Sequence, residues 1–258
     1  MEAIQEILKQ VPAALGQFVL TFGIITLLYV VVWRLLKKRL QRWRIQPKER
    51  VNAKQIKSEL RNSLYTVVVS TLIILVIYGL QTKGFTKIYT DIDAYPRFYA
   101  YGGFFIFLVL DDTWFYWMHR LLHHPKIFKY IHKVHHKSID VNPFTALSFH
   151  WAETLLLTIW IVPISMVFPM YMPAFGIVQI WGLLDNIKSH LGYELFPSWW
   201  NTSIGKLMTS STHHNMHHSK FNGNYGVHFR LWDRFMGTEF SDYEDTFAAI
   251  QERKKGRQ

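Results

Sequence analysis

Long apolar runs alternate with short, strongly polar stretches along this chain. Val11 to Trp33 is a run of about 23 residues without a charge, long enough at 1.5 Å per residue to cross a bilayer core of roughly 30 Å. Leu64 to Leu80 is a second run, rich in Val and Ile but too long and too unalternating for a strand. Phe98 to Met118 is a third and carries Asp111 and Asp112 near its end. Carboxylates there are costly unless they face the protein interior and hold a partner. Thr154 to Met170 and Tyr171 to Leu184 are shorter runs, broken by Pro163, Pro169 and Pro173. They read as a helical hairpin that dips into the membrane or just crosses it. Pro125 is expected to stop a helix, Asn142-Pro143 marks a turn, and the basic end, Phe247 to Gln258, is expected to fray.

Charge orients these runs. Arg34, Lys37, Lys38, Arg39, Arg42, Arg44, Lys48, Arg50, Lys54, Lys57 and Arg61 follow the first run, which makes that loop cytoplasmic. The next loop, Gln81 to Arg97, is weakly charged and fits the outer side. Following the runs in turn brings every later polar stretch back to the cytoplasmic side. Met1 to Gln5 lacks the basic segment and cleavage site of a signal peptide, so the first run reads as a retained membrane helix.

The formal charge of +11 is accounted for by this positive-inside bias. Trp and Tyr sit at the ends of apolar runs rather than on a basic face, so no nucleic-acid partner is expected. The chain has no cysteine, which excludes disulfides, thiolate zinc sites, iron–sulfur clusters and thiol nucleophiles. Any metal site must use imidazole and carboxylate.

The polar stretches supply imidazole in three clusters. His119 and His123 stand at i, i+4; His132, His135 and His136 at i, i+3, i+4; and His214, His217 and His218 repeat that pattern. Residues so spaced share a helix face and can aim ring nitrogens at one point. A lone histidine is more often a satisfied core or surface residue than a ligand, but three clusters in a cysteine-free chain favour a metal. Neutral imidazole suits zinc, copper, iron and nickel. Eight candidates exceed what one ion takes, so two neighbouring ions fit better, and the shortage of clustered carboxylates argues against a ferritin-type bundle.

The segment from Asp112 to Thr238 resembles the fatty acid hydroxylase/sterol desaturase superfamily of integral membrane non-haem di-iron enzymes. The resemblance rests on Asp112-Thr113-Trp114-Phe115-Tyr116-Trp117-Met118-His119-Arg120-Leu121-Leu122-His123, His132-Lys133-Val134-His135-His136 and His214-Asn215-Met216-His217-His218. It extends to Asn224-Tyr225-Gly226, Trp232-Asp233-Arg234-Phe235-Met236-Gly237-Thr238 and Ser189-His190-Leu191-Gly192-Tyr193-Glu194. It implies ligands at His119, His123, His132, His135, His136, His190, His214, His217 and His218. His124 could replace His123. His150 and His213 lie near the motifs, and hydrogen bonding to Glu153 or another neighbour is the alternative for His150. Asp112, Asp185 and Asp233 are candidate acceptors for ligand ring N–H groups, and a turn or a pairing with Arg234 is the alternative for Asp233. His228 has no motif behind it and reads as structural.

The resemblance implies an all-α integral membrane helical bundle with a cytoplasmic histidine-rich helical cap holding a dimetal site. Residues 1–97 would form N-terminal membrane helices and a basic loop, 98–240 the catalytic domain and 241–258 a basic tail. It implies two iron ions, O2, and a lipid substrate (fatty acyl, sterol or isoprenoid) that is hydroxylated or desaturated. A separate ferredoxin- or cytochrome-type donor would supply electrons. Two rival readings are weaker. A zinc hydrolase would need a His-Glu-x-x-His sequence, which is absent, and a metal transporter would carry ionisable residues midway along several spans.

Overall fold

The computed structural model describes residues 9, 11–13, 15–16, 20, 23–24, 26–31, 34–35, 38–48, 50–202 and 204–256. Much of the expected run 11–33, the N-terminal residues 1–5 and the last two residues of the tail lie outside them. The described chain is mostly helical, with almost no strand. In chain order the helices are α1 (Ala53–Thr82), α2 (Phe98–Leu122), α3 (Pro125–Phe128), α4 (Lys133–His136) and α5 (Trp151–Thr158). They continue with α6 (Ile161–Val167), α7 (Met172–Ser189), α8 (Ser211–Lys220), α9 (Leu231–Phe235) and α10 (Tyr243–Lys254). The only paired strands among these residues are β1 (Ile88–Tyr89) and β2 (Met170–Tyr171), a parallel bridge that joins the loop after α1 to the start of α7.

α1 is inside out for a helix in water. Leu60, Leu64, Val68, Leu72 and Val76, spaced at i, i+4, are exposed, while Glu59, Asn62, Ser63, Thr66 and Thr71 are buried. It is the one helix among the described residues long and apolar enough to cross a membrane. It begins well before the expected run because Asn52 caps it, accepting from Gln55 N at 3.0 Å. α2 shows a similar exposed stripe, Phe105, Val109, Trp117 and Leu121. Its inner face buries Phe107, which packs with Met170 and Val178 against Ile164, Phe168 and Phe175.

Several stretches depart from expectation. The expected hairpin is three helices, with α5 and α6 separated at Ile159–Trp160 and α7 running on to Ser189. Pro125 does not stop α2, which ends at Leu122; it opens α3, where its missing N–H costs nothing. Residues 243–254 are not a frayed tail either. α10 buries Tyr243, Phe247 and Ile250, with Tyr243 and Phe247 packed on Met216, because its apolar residues recur at helical spacing despite the surrounding charge.

The basic loop also folds inward. Arg44 bridges Tyr193 in antiparallel register, Ile45 N donates to Gly192 O at 3.0 Å, and the Arg44 guanidinium forms a buried pair with Asp140. Arg44→Met leaves the buried Asp140 carboxylate without its cation and with only the Arg50 N–H, at 2.7 Å, as donor. The expected cost is about 3–5 kcal/mol, seen as a lower thermal midpoint in detergent.

Candidate metal centre

α8 poses the physical problem that defines the site. Ser211 through His218 are all buried, yet nearly all are polar. Ser210 caps the helix, accepting from His213 N at 3.2 Å. A polar helix in the interior is tolerable only if its side chains have partners.

The partners are other histidines. The end of α2 brings His119 and His123, the short turn at α4 brings His132, His135 and His136, the end of α7 brings His190, and α8 brings the rest. Ring nitrogens of His119, His123, His132, His136 and His217 gather within 4.8 Å of one another, and those of His135, His190, His214 and His218 form a second such group. Closest Nε2–Nε2 separations in the first group are 3.1 Å for His119–His132 and His132–His136, 3.0 Å for His136–His217 and 3.2 Å for His123–His217. In the second they are 3.0 Å for His190–His214, 3.1 Å for His214–His218, 3.2 Å for His190–His218 and 3.3 Å for His135–His190.

The far side of each ring decides what these contacts are. Nδ1–H donates to a backbone carbonyl in His119 (Tyr225, 2.8 Å), His135 (Ser148, 3.3 Å), His190 (Asn186, 2.7 Å), His217 (Gly223, 2.7 Å) and His218 (Ser138, 3.0 Å). A carbonyl only accepts, so the opposite Nε2 of each neutral ring carries a lone pair. The lone pairs of His135, His190 and His218 then face each other with no proton between them. That arrangement fits a cation coordinated by Nε2. Metal–nitrogen bonds of about 2.1 Å at right angles would set nitrogens about 3 Å apart. The all-imidazole donor set suits a borderline transition metal such as iron or zinc.

Burial keeps these rings neutral and ready to ligate. It lowers the pKa of His119 and His190 to about 4 and of His123 to about 2, with the neighbouring His119 adding to the last. His132, His135, His136, His214, His217 and His218 are likewise held well below the usual imidazole value, chiefly by burial. Unfolding releases them to about 6.5. The unfolded chain therefore binds more protons below that pH, and the metal-free protein should lose stability as pH falls from about 6.5 toward 4. Urea midpoints measured across that range test this.

His132 holds the one direct carboxylate contact, from Nδ1 to Glu153 Oε1 at 2.7 Å. Burial pushes the Glu153 carboxyl well above the usual range. In the sequence Glu153 stands out only as a partner for His150; the signal that singles it out is a lone acid at the start of a helix in an apolar run.

The remaining candidates lie outside both groups. His124 is exposed and caps α3 through Lys126 N at 3.4 Å, so the helix end selects His123 over it. His150 accepts from Ala152 N at 3.2 Å as the cap of α5. His213 is buried beside Asp233 at 3.5 Å with neither ring nitrogen hydrogen-bonded.

None of the three aspartates meets a ring of either group. Asp112 accepts the backbone N–H of His228 and Phe229 at 2.9 and 3.0 Å, and Asp233 accepts those of Tyr225 and Gly226 at 2.8 Å each. Backbone amides in a tight loop were nearer donors than the rings. The two carboxylates clamp the segment whose Tyr225 carbonyl orients His119. Gly226 is required there, since a Cβ would come within 2.3 Å of Phe229 O. Gly226→Ala should therefore loosen His119 and lower metal affinity at the five-histidine group, measurable by competition with a chelator.

Asp185 instead accepts from His228 Nδ1 at 3.1 Å and pairs with Lys188; His228 Nε2 meets Asp111 at 3.2 Å. Burial opposes a charge on His228, but the two carboxylates outweigh it and raise its pKa to about 10. This fixed ion cluster balances the charges of Asp111 on α2 and Asp185 on α7.

A cavity of about 360 Å³ lined by Trp117, Arg120, Leu121, His123, His124 and Tyr225 opens onto the five-histidine group. A larger hollow, about 580 Å³, lined by residues such as Lys206, Glu244 and Gln251, touches none of the histidines.

Residues 104–238 match the family model described as fatty acid hydroxylase. The chain belongs to the fatty acid hydroxylase/sterol desaturase superfamily. It is 31% identical over 199 residues to a Delta(7)-sterol 5(6)-desaturase of Gibberella zeae, covering 76% of this chain and 59% of that protein. It is 34% identical over 164 residues to methylsterol monooxygenase 1 of Gallus gallus, covering 63% and 53%. It is 32% identical over 168 residues to lathosterol oxidase of Rattus norvegicus, covering 63% and 54%. The chain thus spans between half and three fifths of the length of these relatives. No solved structure matches it. The family match contains all nine histidines of the two groups and the Asp112, Asp233 and Glu153 carboxylates.

Proposed function

We propose that this chain is a membrane-bound di-iron oxidoreductase that uses O2 to hydroxylate or desaturate a C–H bond of a lipid, of fatty acyl, sterol or isoprenoid type. The observation that carries the reading is the pair of buried all-imidazole groups, five and four nitrogens side by side. His119, His123, His132, His136 and His217 would hold one iron, and His135, His190, His214 and His218 the other. Bound there, the metals would supply reductive activation of O2 and hydrogen removal from an unactivated carbon.

The chain's own residues do the rest. Backbone carbonyls and Glu153 fix the rings of His119, His132, His135, His190, His217 and His218 so that Nε2 points inward. Burial keeps the rings unprotonated. The opening at Trp117, Leu121 and Tyr225 gives an apolar chain a path to His123. The names of the relatives, a desaturase, a monooxygenase and an oxidase of sterols, support the substrate class. The exposed apolar stripes of α1 and α2 support contact with the bilayer; residues 98–240 would be the catalytic unit, and the basic loop after the first run would put the metal site on the cytoplasmic side. Electrons would come from a separate ferredoxin- or cytochrome-type protein.

Metal analysis of the purified chain tests the proposal. About two irons per chain and O2-dependent product from added lipid are expected. Stoichiometric zinc, with no oxidation after iron is restored, would refute it.

A further inference from the structure

We infer that the apolar surface made by Ile204, Leu207, Leu231 and Phe235 lies in the headgroup–acyl boundary of a lipid bilayer, on the same side as the opening at Trp117. In sequence order these residues belong to the polar half of the chain, well past the last apolar run. Ile204 and Phe235 are nonetheless 77% and 81% exposed, and Leu207 and Leu231 are about half exposed.

The four form one surface. Ile204 and Leu207 are i, i+3 on a 3-10 turn, and Leu231 and Phe235 are i, i+4 on α9. Arg230 N donates to Leu207 O at 2.8 Å and Met208 bridges Phe229, which sets the two pairs side by side. The opposite side of the same elements is ionic: Arg230 and Arg234 bind Glu239, and Lys206 pairs with Glu244. An apolar front with a paired ionic back is the pattern of an element lying in an interface. With five residues, α9 is far too short to cross a membrane.

Continuity with α2 identifies the occupant. Trp232 of α9 donates to Thr113 Oγ1 at 3.1 Å, and its ring meets that of Trp117 at 5.6 Å and that of Phe235 at 6.1 Å. Thr113 and Trp117 lie on the exposed stripe that runs through Phe105, Val109 and Leu121. Trp117 is about 29 Å along the helix from Phe98, one bilayer core away. On the proposed reading that α2 spans the bilayer, the patch meets it where that helix leaves the hydrocarbon, the level at which Trp rings gather. With Trp117 also lining the opening to His123, a lipid could pass from the leaflet to the metal centre without crossing water.

The chain has no cysteine, so single spin labels can be placed in the full-length protein in lipid nanodiscs. At Ile204→Cys and Phe235→Cys, relaxation by dissolved oxygen should exceed that by water-soluble chromium oxalate. At Asp245→Cys, on the exposed side of α10, the order should invert. Aqueous readings at both patch positions overturn the inference. Shielding from both reagents also overturns it, and spin–spin broadening relieved by unlabelled protein would then identify a second copy of the chain as the occupant. The measurement involves no metal or turnover, so it stands or falls apart from the proposed reaction.

Discussion

His217→Ala is expected to empty the five-histidine group of its metal and to abolish lipid oxidation. His217 Nε2 lies 3.0 Å from that of His136 and 3.2 Å from that of His123, so it is shared among the shortest contacts of the group. Its own Nδ1–H is held by Gly223 O at 2.7 Å, which leaves the ring no other orientation. Loss of an outer partner of a metal ligand typically costs 10–100-fold, and loss of the ligand itself should exceed roughly 100-fold in turnover. Metal counted per chain should fall from about two to about one. His190→Ala should do the same for the four-histidine group. Lys133→Ala is the control: it lies between His132 and His135 in sequence but is exposed, so it should leave both the metal count and the rate within about twofold, as expected for a surface position. If His217→Ala retained both metals and full turnover, the ligand assignment would be wrong.

The two histidine groups show what the chain order made legible. Spacing within each cluster identified eight of the convergent rings without reference to any fold, because a helix turn places i, i+3 and i+4 together wherever it occurs. His190 stands alone in sequence, and only the family resemblance marked it. No spacing rule could assign the rings to the two groups. His135 and His136 are neighbours in the chain yet point to opposite groups, as do His217 and His218, because successive residues on a helix diverge by about 100°.

The aspartates show the opposite case. Asp112, Asp185 and Asp233 stood close to the motifs, but each found donors nearer than a ligand ring, two of them backbone amides in the loop from Tyr225 to Phe229. Backbone amides leave no mark in sequence, so this loop clamp was invisible until the chain was folded. α10 was misjudged for a different reason. Its charged residues dominate the composition, while the buried face of Tyr243, Phe247 and Ile250 needs only three positions.

Glu153→Gln should weaken metal binding while leaving the metal-free fold intact or slightly more stable. Glu153 is fully buried, its Oε1 meets His132 Nδ1 at 2.7 Å, and its Oε2 has no hydrogen-bond partner. Without a metal, that is a poor place for a carboxyl group, and burial accordingly pushes it toward its neutral form. A cation on His132 Nε2 changes the balance. It makes Nδ1–H a stronger donor and supplies positive charge that only an ionised Glu153 can offset, since His132 has no other carboxylate contact. Glutamine fills the same volume and can still accept from Nδ1–H, but it cannot carry the charge. Metal affinity at the five-histidine group should therefore drop by about 10–100-fold, read by chelator competition. The thermal midpoint of the metal-free protein should stay level or rise, since an unsatisfied buried acid has been exchanged for a neutral amide. A purely structural Glu153 would give the reverse pattern, a lower midpoint in the metal-free state with metal affinity unchanged, and that outcome would remove it from the centre.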